Sequence, residues 1–148
     1  MSKLKVSIRS IVMFLFALMF VVAGLSLLSR YTSEQFIYRS KKPLKIGATY
    51  MTLNNPFFNV IDDEVRNVVE ANGDVLISLD PALDLQKQKE QIHYLIEQGV
   101  SALIINPVDF TGLSEELKEA REANIPVITV DTDVFDEDLV AYSLMSDN

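Results

Sequence analysis

In the stretch Lys45-Ile-Gly-Ala-Thr-Tyr-Met-Thr-Leu-Asn-Asn-Pro-Phe-Phe58, an apolar run passes through a short polar turn into a helix start. Residues 45–50 have the composition of a buried strand. Asn55 is a suitable N-cap and Pro56 suits the first helical position, so a helix is predicted over residues 56–71, ending before Asn72-Gly73. The first unit is therefore strand, turn and helix.

The same alternation continues to the end of the chain. Further strands are predicted over residues 75–79, 102–105, 126–130 and 139–144, and further helices over 84–98 and 113–123, with Ser114 as a cap. Strands that are apolar without alternation, separated by helices, indicate a parallel sheet covered on both faces. Because crossovers between parallel strands are right-handed, residues 44–148 are predicted to form a doubly wound α/β lobe.

The side chains of the first predicted helix divide into two sets. Apolar positions at helical spacing are predicted to face the core: Val60, Ile61, Val65, Val68 and Val69. Charged positions are predicted to face water: Asp62, Asp63, Arg66 and Glu70. His93, in the next helix, is also predicted to be a surface residue.

The N-terminal part of the chain differs sharply in charge from the rest. Residues 1–42 hold seven basic residues and one acidic residue, a net charge of +6, whereas residues 43–148 hold six basic and twenty acidic residues, a net charge of −14. This division is typical of a tail that meets a membrane and a body that does not. The acidic body argues against a nucleic-acid partner, since phosphate binding needs clustered Lys and Arg.

Residues 10–29 carry no charge and are long enough to span a bilayer as a helix. We therefore expect an α/β lobe with an N-terminal transmembrane helix: residues 1–9 as a cytoplasmic n-region, 10–29 as an uncleaved signal anchor and 30–43 as a tether. Lys3, Lys5 and Arg9 favour a cytoplasmic N-terminus, which leaves the lobe outside the cytoplasm on a single-pass membrane protein. The alternative is a cleaved signal peptide and a secreted or periplasmic lobe.

The sequence lacks the residue types that several kinds of functional site require. The chain has no cysteine and a single histidine, which argues against disulfides and against thiolate or His-rich metal sites. There is no glycine-rich phosphate loop, and no Ser nucleophile with a His partner can be assembled. We therefore expect no cofactor and no enzymatic activity.

Candidate binding residues lie where the predicted strands end, since ligands of open α/β sheets bind beyond the carboxyl ends of the strands. Phe57 and Phe58 could offer aromatic planes to the C–H faces of a sugar, with Asn55 supplying polar contacts, or both rings could be core and Asn55 a cap alone. Asp131 could accept hydrogen bonds from sugar hydroxyls, or could serve only its own loop. Asn106 could contact a ligand, but its place before Pro107 favours a turn residue.

Together these segments resemble the type 1 periplasmic sugar-binding proteins, the ribose-binding group in particular. The resemblance extends from Lys45 to Asn148. Four segments carry it: residues 52–58, 105–107, 124–131 and 146–148.

The resemblance implies a set of binding residues. Asn55, Phe57 and Phe58 would contact the sugar and Asp131 would bind its hydroxyls. Ribose binders have an Arg directly after that Asp, whereas this chain has Thr132 and then Asp133, which we also expect to contact the ligand. Loss of the Arg fork changes the hydroxyl pattern that can be satisfied, so a pentose or hexose other than ribose is equally compatible.

The resemblance also implies a partner lobe and a membrane partner. Family members have two lobes that close on the ligand, and the sequence covers the N-terminal lobe, so we expect little binding by this lobe alone. The expected roles are sugar capture for an ABC permease or sugar sensing with a sensor histidine kinase. An enzyme on the same scaffold is the disfavoured alternative.

Overall fold

A computed structural model describes residues 8–40 and 42–145 of the chain. The chain divides into two compact units, Met1–Lys42 and Pro43–Asn148, which are described separately. Most of the predicted n-region and the Ser146–Asn148 segment of the resemblance lie outside the described residues.

The N-terminal unit contains one helix, α1, over Ile8–Ser40. The helix continues to Ser40, through most of the range expected to be a tether. Among the described residues, no helix meets the length and apolarity needed to cross a membrane. The predicted anchor over residues 10–29 therefore gains no support from the structure.

The second unit is a parallel α/β sheet whose elements follow the predicted alternation. Its elements are β1 (Lys45–Thr49), α2 (Pro56–Ala71), β2 (Val75–Leu79), α3 (Leu85–Glu97), β3 (Ala102–Ile105), α4 (Ser114–Glu122), β4 (Val127–Val130), a 3-10 turn (Glu137–Leu139) and β5 (Tyr142–Leu144). The strand order is β2-β1-β3-β4-β5, and every neighbouring pair is parallel. The predicted parallel α/β architecture is confirmed, and β1 lies between β2 and β3.

The helix starts explain why α2 and α3 form where the sequence indicated. The Asn55 side chain accepts a hydrogen bond from the Phe57 amide at 3.0 Å, and Asp84 caps α3 through the Lys87 amide at 3.1 Å. The prediction that Ser114 caps α4 is wrong. Ser114 is the first helical residue, and its hydroxyl bonds the carboxylate of Asp136, which ties α4 to the loop before β5.

One face of the sheet packs against α3 and α4. Ile92 and Leu95 of α3 and Leu117 of α4 are buried there against Leu103 and Val127 of the sheet. Gly47 of β1 faces the same side, and a Cβ at this position would lie 3.0 Å from both Leu95 and Leu103 side chains. A larger residue here would force the Leu95 and Leu103 side chains to move, so glycine favours the close packing of α3 on β1.

The other face packs against α2. Because strand side chains alternate, Ala48, Leu76 and Val130 point to this side and form a second cluster with Tyr50 and Phe58. Beside this cluster runs an apolar groove of about 460 Å³, whose lining residues are Ile46, Glu64, Val65, Val68, Val69, Ala102, Ile104 and Ile128.

Three side chains of α2 depart from the predicted division. Val60 and Val68 are 62% exposed, so their predicted core positions are wrong. Asp62 is buried, although it was predicted to face water. Its carboxylate accepts from the Ser78 hydroxyl and pairs with Arg66 at 3.0 Å, so a polar pair lies between α2 and β2.

Candidate functional site

A cavity of about 280 Å³ lies at the carboxyl edge of the sheet, where α2 begins and β4 and β5 end. Its lining residues are Phe57, Ile61, Val130, Asp131, Leu144 and Met145. Asp131 is the charged member of an otherwise apolar wall. The structure thus brings together an aromatic side chain and a carboxylate that lie more than seventy residues apart in the sequence.

The two adjacent phenylalanines occupy different environments. Phe57 is 45% exposed and lines the cavity, whereas Phe58 is 2% exposed and belongs to the α2-side core. The two rings meet edge to face with centroids 5.2 Å apart. Phe57 can therefore present a surface to a ligand, and Phe58, grouped with it in the sequence, is a core side chain in this structure.

Asn55 caps the helix that carries Phe57. Its side-chain oxygen is engaged by the Phe57 amide, which leaves the carboxamide nitrogen as the group that can donate to a ligand. Asn55 is exposed and is not among the residues lining the cavity. Its capping role is thus shown, and a ligand contact remains a prediction.

Asp131 lies in a tight turn directly after β4. Its φ of 65° is in the left-handed region, which is uncommon for a residue other than glycine. The Asp131 amide donates to the Leu144 carbonyl at 2.7 Å, and the Thr132 amide donates to the Val130 carbonyl at 2.8 Å. These bonds fix the backbone from which the Asp131 carboxylate projects.

Thr132 and Asp133 follow in the same turn but do not line the cavity. Both are half-buried. One carboxylate oxygen of Asp133 is inaccessible to solvent and has no hydrogen-bond partner among the described residues. Their ligand contacts therefore remain predictions, and the structure groups Asp131 with Phe57 rather than with its two sequence neighbours.

Asn106 has a role that the sequence interpretation as a turn residue missed. It is fully buried, and its side chain accepts from the Met51 amide at 3.1 Å and donates to the Val130 carbonyl at 2.9 Å. Gln88 of α3, also buried, donates to the Asn106 carbonyl at 2.9 Å. Asn106 thus joins the ends of β1, β3 and β4 and sets their relative positions at the binding edge.

A second missed feature is the apolar part of the cavity. Ile61 lies one helical turn after Phe57 and was predicted to face the core, while Leu144 ends β5 and Met145 follows it. The one sequence signal available was the spacing of Ile61 from Phe57. The contribution of β5 could not be seen, because its place beside β4 depends on the strand order.

Other acidic side chains at this edge serve their own loops. Asp109 accepts hydrogen bonds from the Thr111 hydroxyl and amide, both at 2.9 Å, and these bonds lower the pKa of Asp109, with the hydroxyl contributing most. In the part of the chain that the structure describes, no three His, Asp or Glu side chains are arranged to hold a metal ion. Metal binding therefore gains no support here.

Comparisons with known proteins find similarity to several sugar-binding proteins. The chain is 37% identical over 92 residues to the ribose import binding protein RbsB of Bacillus subtilis, which covers 62% of this chain and 30% of that protein. It is 33% identical over 111 residues to the galactofuranose-binding protein YtfQ of Escherichia coli, covering 72% and 34%.

Solved structures show the same fold. The periplasmic binding protein of the arabinose ABC transporter from Shewanella sp. ANA-3, bound to arabinofuranose, matches with a TM-score of 0.64 and 30% identity, covering 70% of this chain and 35% of that chain. A galactofuranose binding protein matches with a TM-score of 0.66 and 27% identity, covering 71% and 36%.

The sequence therefore spans about a third of the length of the relatives that it matches. Phe57 and Asp131 lie within residues 46–148, the range over which the family comparison matches. The sequence profile of the periplasmic binding protein domain matches residues 46–148, and the chain belongs to that family.

Proposed function

We propose that the carboxyl edge of the sheet binds a monosaccharide, with Phe57 packing on the C–H face of the sugar ring and Asp131 accepting its hydroxyl groups. The observation that carries this proposal is the placement of both side chains in one cavity. An aromatic plane beside a carboxylate matches the two kinds of surface that a sugar presents. The relatives are named as binding proteins for ribose, galactofuranose and arabinofuranose. These names support a monosaccharide as the ligand.

The cavity covers one side of such a ligand. Its volume of about 280 Å³ is close to the lower limit of roughly 300 Å³ for ligand pockets, and pockets of this kind bury most of the ligand surface. A sugar held only here would keep the remaining hydroxyls in water. We therefore propose that this chain alone binds weakly. Tight binding is proposed to need a second lobe, which the relatives are long enough to contain.

The sugar is proposed to be a pentose or hexose without preference for ribose. The residue after Asp131 is Thr132, which supplies one hydroxyl rather than the five donors of an Arg side chain. Several sugars, including furanose forms, have two adjacent hydroxyl groups that could donate to the Asp131 carboxylate.

We further propose that the lobe works outside the cytoplasm as a binding protein rather than an enzyme. Its partner is proposed to be an ABC permease, since the relatives include import and transporter binding proteins. The alternative is a sensor role with a histidine kinase. Cell fractionation separates a membrane-bound form, as predicted for an anchor over residues 10–29, from a shortened form released by cleavage.

The direct test is a titration of the full chain, labelled at methyl groups, with millimolar ribose, arabinose, galactose and glucose, followed by NMR. We expect saturable shifts of the Ile61, Val130, Leu144 and Met145 methyl groups, because these line the cavity. Glycerol at the same concentration is the control for nonspecific polyol effects. Absence of a saturable response to every sugar at these four residues would refute the proposal.

A further inference from the structure

Tyr50 is a buried residue next to the candidate site with no role assigned so far. It directly follows β1, is fully inaccessible to solvent and belongs to the α2-side core. Its hydroxyl has no hydrogen-bond partner among the described residues. Burial, and then the negative charge of Asp62, raise the pKa of Tyr50, so the side chain stays neutral. The ring of Tyr50 packs within the α2-side core and contacts Phe58.

Three aromatic rings form a series from Tyr50 to the cavity. The Tyr50 and Phe58 rings are stacked with centroids 6.1 Å apart and an interplanar angle of 26°. The Phe58 and Phe57 rings meet at 73° with centroids 5.2 Å apart. Since aromatic pairs prefer such offset and edge-to-face arrangements, the plane of each ring restricts the plane of the next.

The helix that carries two of these rings is itself held against the sheet. Phe58, Asp62 and Arg66 are spaced four residues apart and lie on one side of α2. Ser78 of β2 donates to the Asp62 carboxylate and accepts from Arg66 at 3.0 Å. This polar contact fixes the rotation of α2, so Phe58 remains over Tyr50.

We infer that Tyr50 is a positioning residue for the sugar site: through Phe58 its ring sets the plane of Phe57 that faces Asp131. The inference rests on the proposed function, because the orientation of Phe57 matters for binding only if a ligand packs on it. Tyr50 does not line the cavity and acts only through Phe58. The role belongs to the ring, and the hydroxyl is dispensable for it.

The test compares Tyr50→Leu, which removes the ring, with Tyr50→Phe, which keeps it, in the methyl-labelled full chain. The reporters are the Leu144 and Met145 methyl groups, which line the cavity with Phe57 but lie outside the cluster that contains Tyr50. We expect these methyl shifts to move in Tyr50→Leu because the ring current of Phe57 changes. In Tyr50→Phe, the Leu144 and Met145 methyl shifts should match those of wild type.

Phe135→Leu is the matched control. Phe135 pairs edge to face with Phe110 at a centroid distance of 6.2 Å and is not part of the cavity wall. Its replacement removes an aromatic pair between two exposed rings outside the cavity and should leave the Leu144 and Met145 methyl shifts unchanged. If Tyr50→Leu does not fold, Phe58→Leu removes the middle ring of the series and should move the same two reporters.

Sugar titrations of the same variants complete the test. Loss of one aromatic pair should weaken sugar binding about two- to tenfold in Tyr50→Leu, with recovery in Tyr50→Phe. Unchanged Leu144 and Met145 shifts in Tyr50→Leu, or equal shifts in both Tyr50 variants, would overturn the inference. If wild type responds to no sugar, the proposed function fails, while the ligand-free shifts still decide whether Tyr50 positions Phe57.

Discussion

The two faces of the sheet differ in how completely helices cover them. Under α3 and α4, side chains such as Ile92, Leu95 and Leu103 are fully buried. Under α2, an apolar groove of about 460 Å³ runs beside the core, and Val68 at its edge is 62% exposed. The parallel sheet is thus closed on one side and partly open on the other in the described residues.

The larger apolar core and the proposed binding residues lie on different faces of the sheet. The closed face carries the larger apolar cluster, whereas the α2 face carries Tyr50, Phe58 and the start of the helix that presents Phe57. The candidate cavity lies at the carboxyl edge of the α2 face, because Val130 and Ile61 point to that side. The closed face therefore holds the larger part of the buried core, and the proposed sugar site lies on the α2 side.

The largest expected effect is on the closed face. Leu95→Ala should lower the free energy of unfolding by about 2–5 kcal/mol, because it leaves a cavity among fully buried neighbours. Val68→Ala should change it by less than about 0.5 kcal/mol, as expected for an exposed position. Urea unfolding of both variants measures the difference, and equal losses would show that the two faces are equally packed.

The next effect concerns the polar contact between α2 and β2. Asp62→Ala should cost about 1–3 kcal/mol, since it leaves the Ser78 hydroxyl and Arg66 without their carboxylate. Asp63→Ala, one residue further along and exposed, is the control and should stay near wild type. The same unfolding measurement applies. If Asp62→Ala is as stable as Asp63→Ala, the Asp62 carboxylate does not stabilise the fold, as expected for the solvent-facing position predicted from sequence.

A smaller effect is expected at alkaline pH. The pKa of Tyr50 is raised above its ordinary value of 10.0 by burial and by Asp62, so the folded protein retains a proton that the unfolded chain loses. Stability from this group is therefore complete below pH 10 and declines above it. Unfolding curves between pH 8 and 11 should fall more steeply for wild type than for Tyr50→Phe. Tyr94→Phe, at an exposed position, should follow wild type.

The smallest effect lies on the outer surface of the closed face. His93 contacts Glu119 of α4 at 2.8 Å and Glu97 at 3.4 Å. Glu119, and to a smaller extent Glu97, raises the pKa of His93 above 6.5. The protonated imidazole therefore stabilises the folded chain below pH 6.5. This stabilisation is lost as the pH rises through the higher folded-state pKa. NMR titration of the imidazole should show this raised midpoint, and Glu119→Gln should lower it. An unchanged midpoint in Glu119→Gln would exclude the interhelical pair as its cause.

Much of the fold could be predicted because its determinants are local. The cap at Asn55, the proline after it and the Asn72-Gly73 stop fix α2 at Pro56–Ala71, as predicted. The errors arise where a side chain depends on distant residues. Asp62 is buried because Ser78 lies opposite it, and Val68 is exposed because no described element covers it.

The candidate site follows the same rule. Phe57 and Asp131 could be proposed because both lie at ends of predicted elements on the carboxyl edge. The separate fates of Phe57 and Phe58 depend on the position of Tyr50, which only the folded sheet reveals. Likewise, Asn106 joins three strands whose order no local pattern specifies.

We propose that the carboxylate of Asp131 binds sugar hydroxyls at this edge. Loss of a hydrogen bond to a charged group costs about 1.5–3 kcal/mol, which corresponds to tenfold or more in affinity. The most direct measurement is calorimetric titration of a two-lobed protein carrying this lobe, with and without Asp131→Ala, using the sugar that gives the largest NMR response. We predict at least tenfold weaker binding by Asp131→Ala. Equal affinity in the two proteins would show that Asp131 serves only its own turn and would contradict the account.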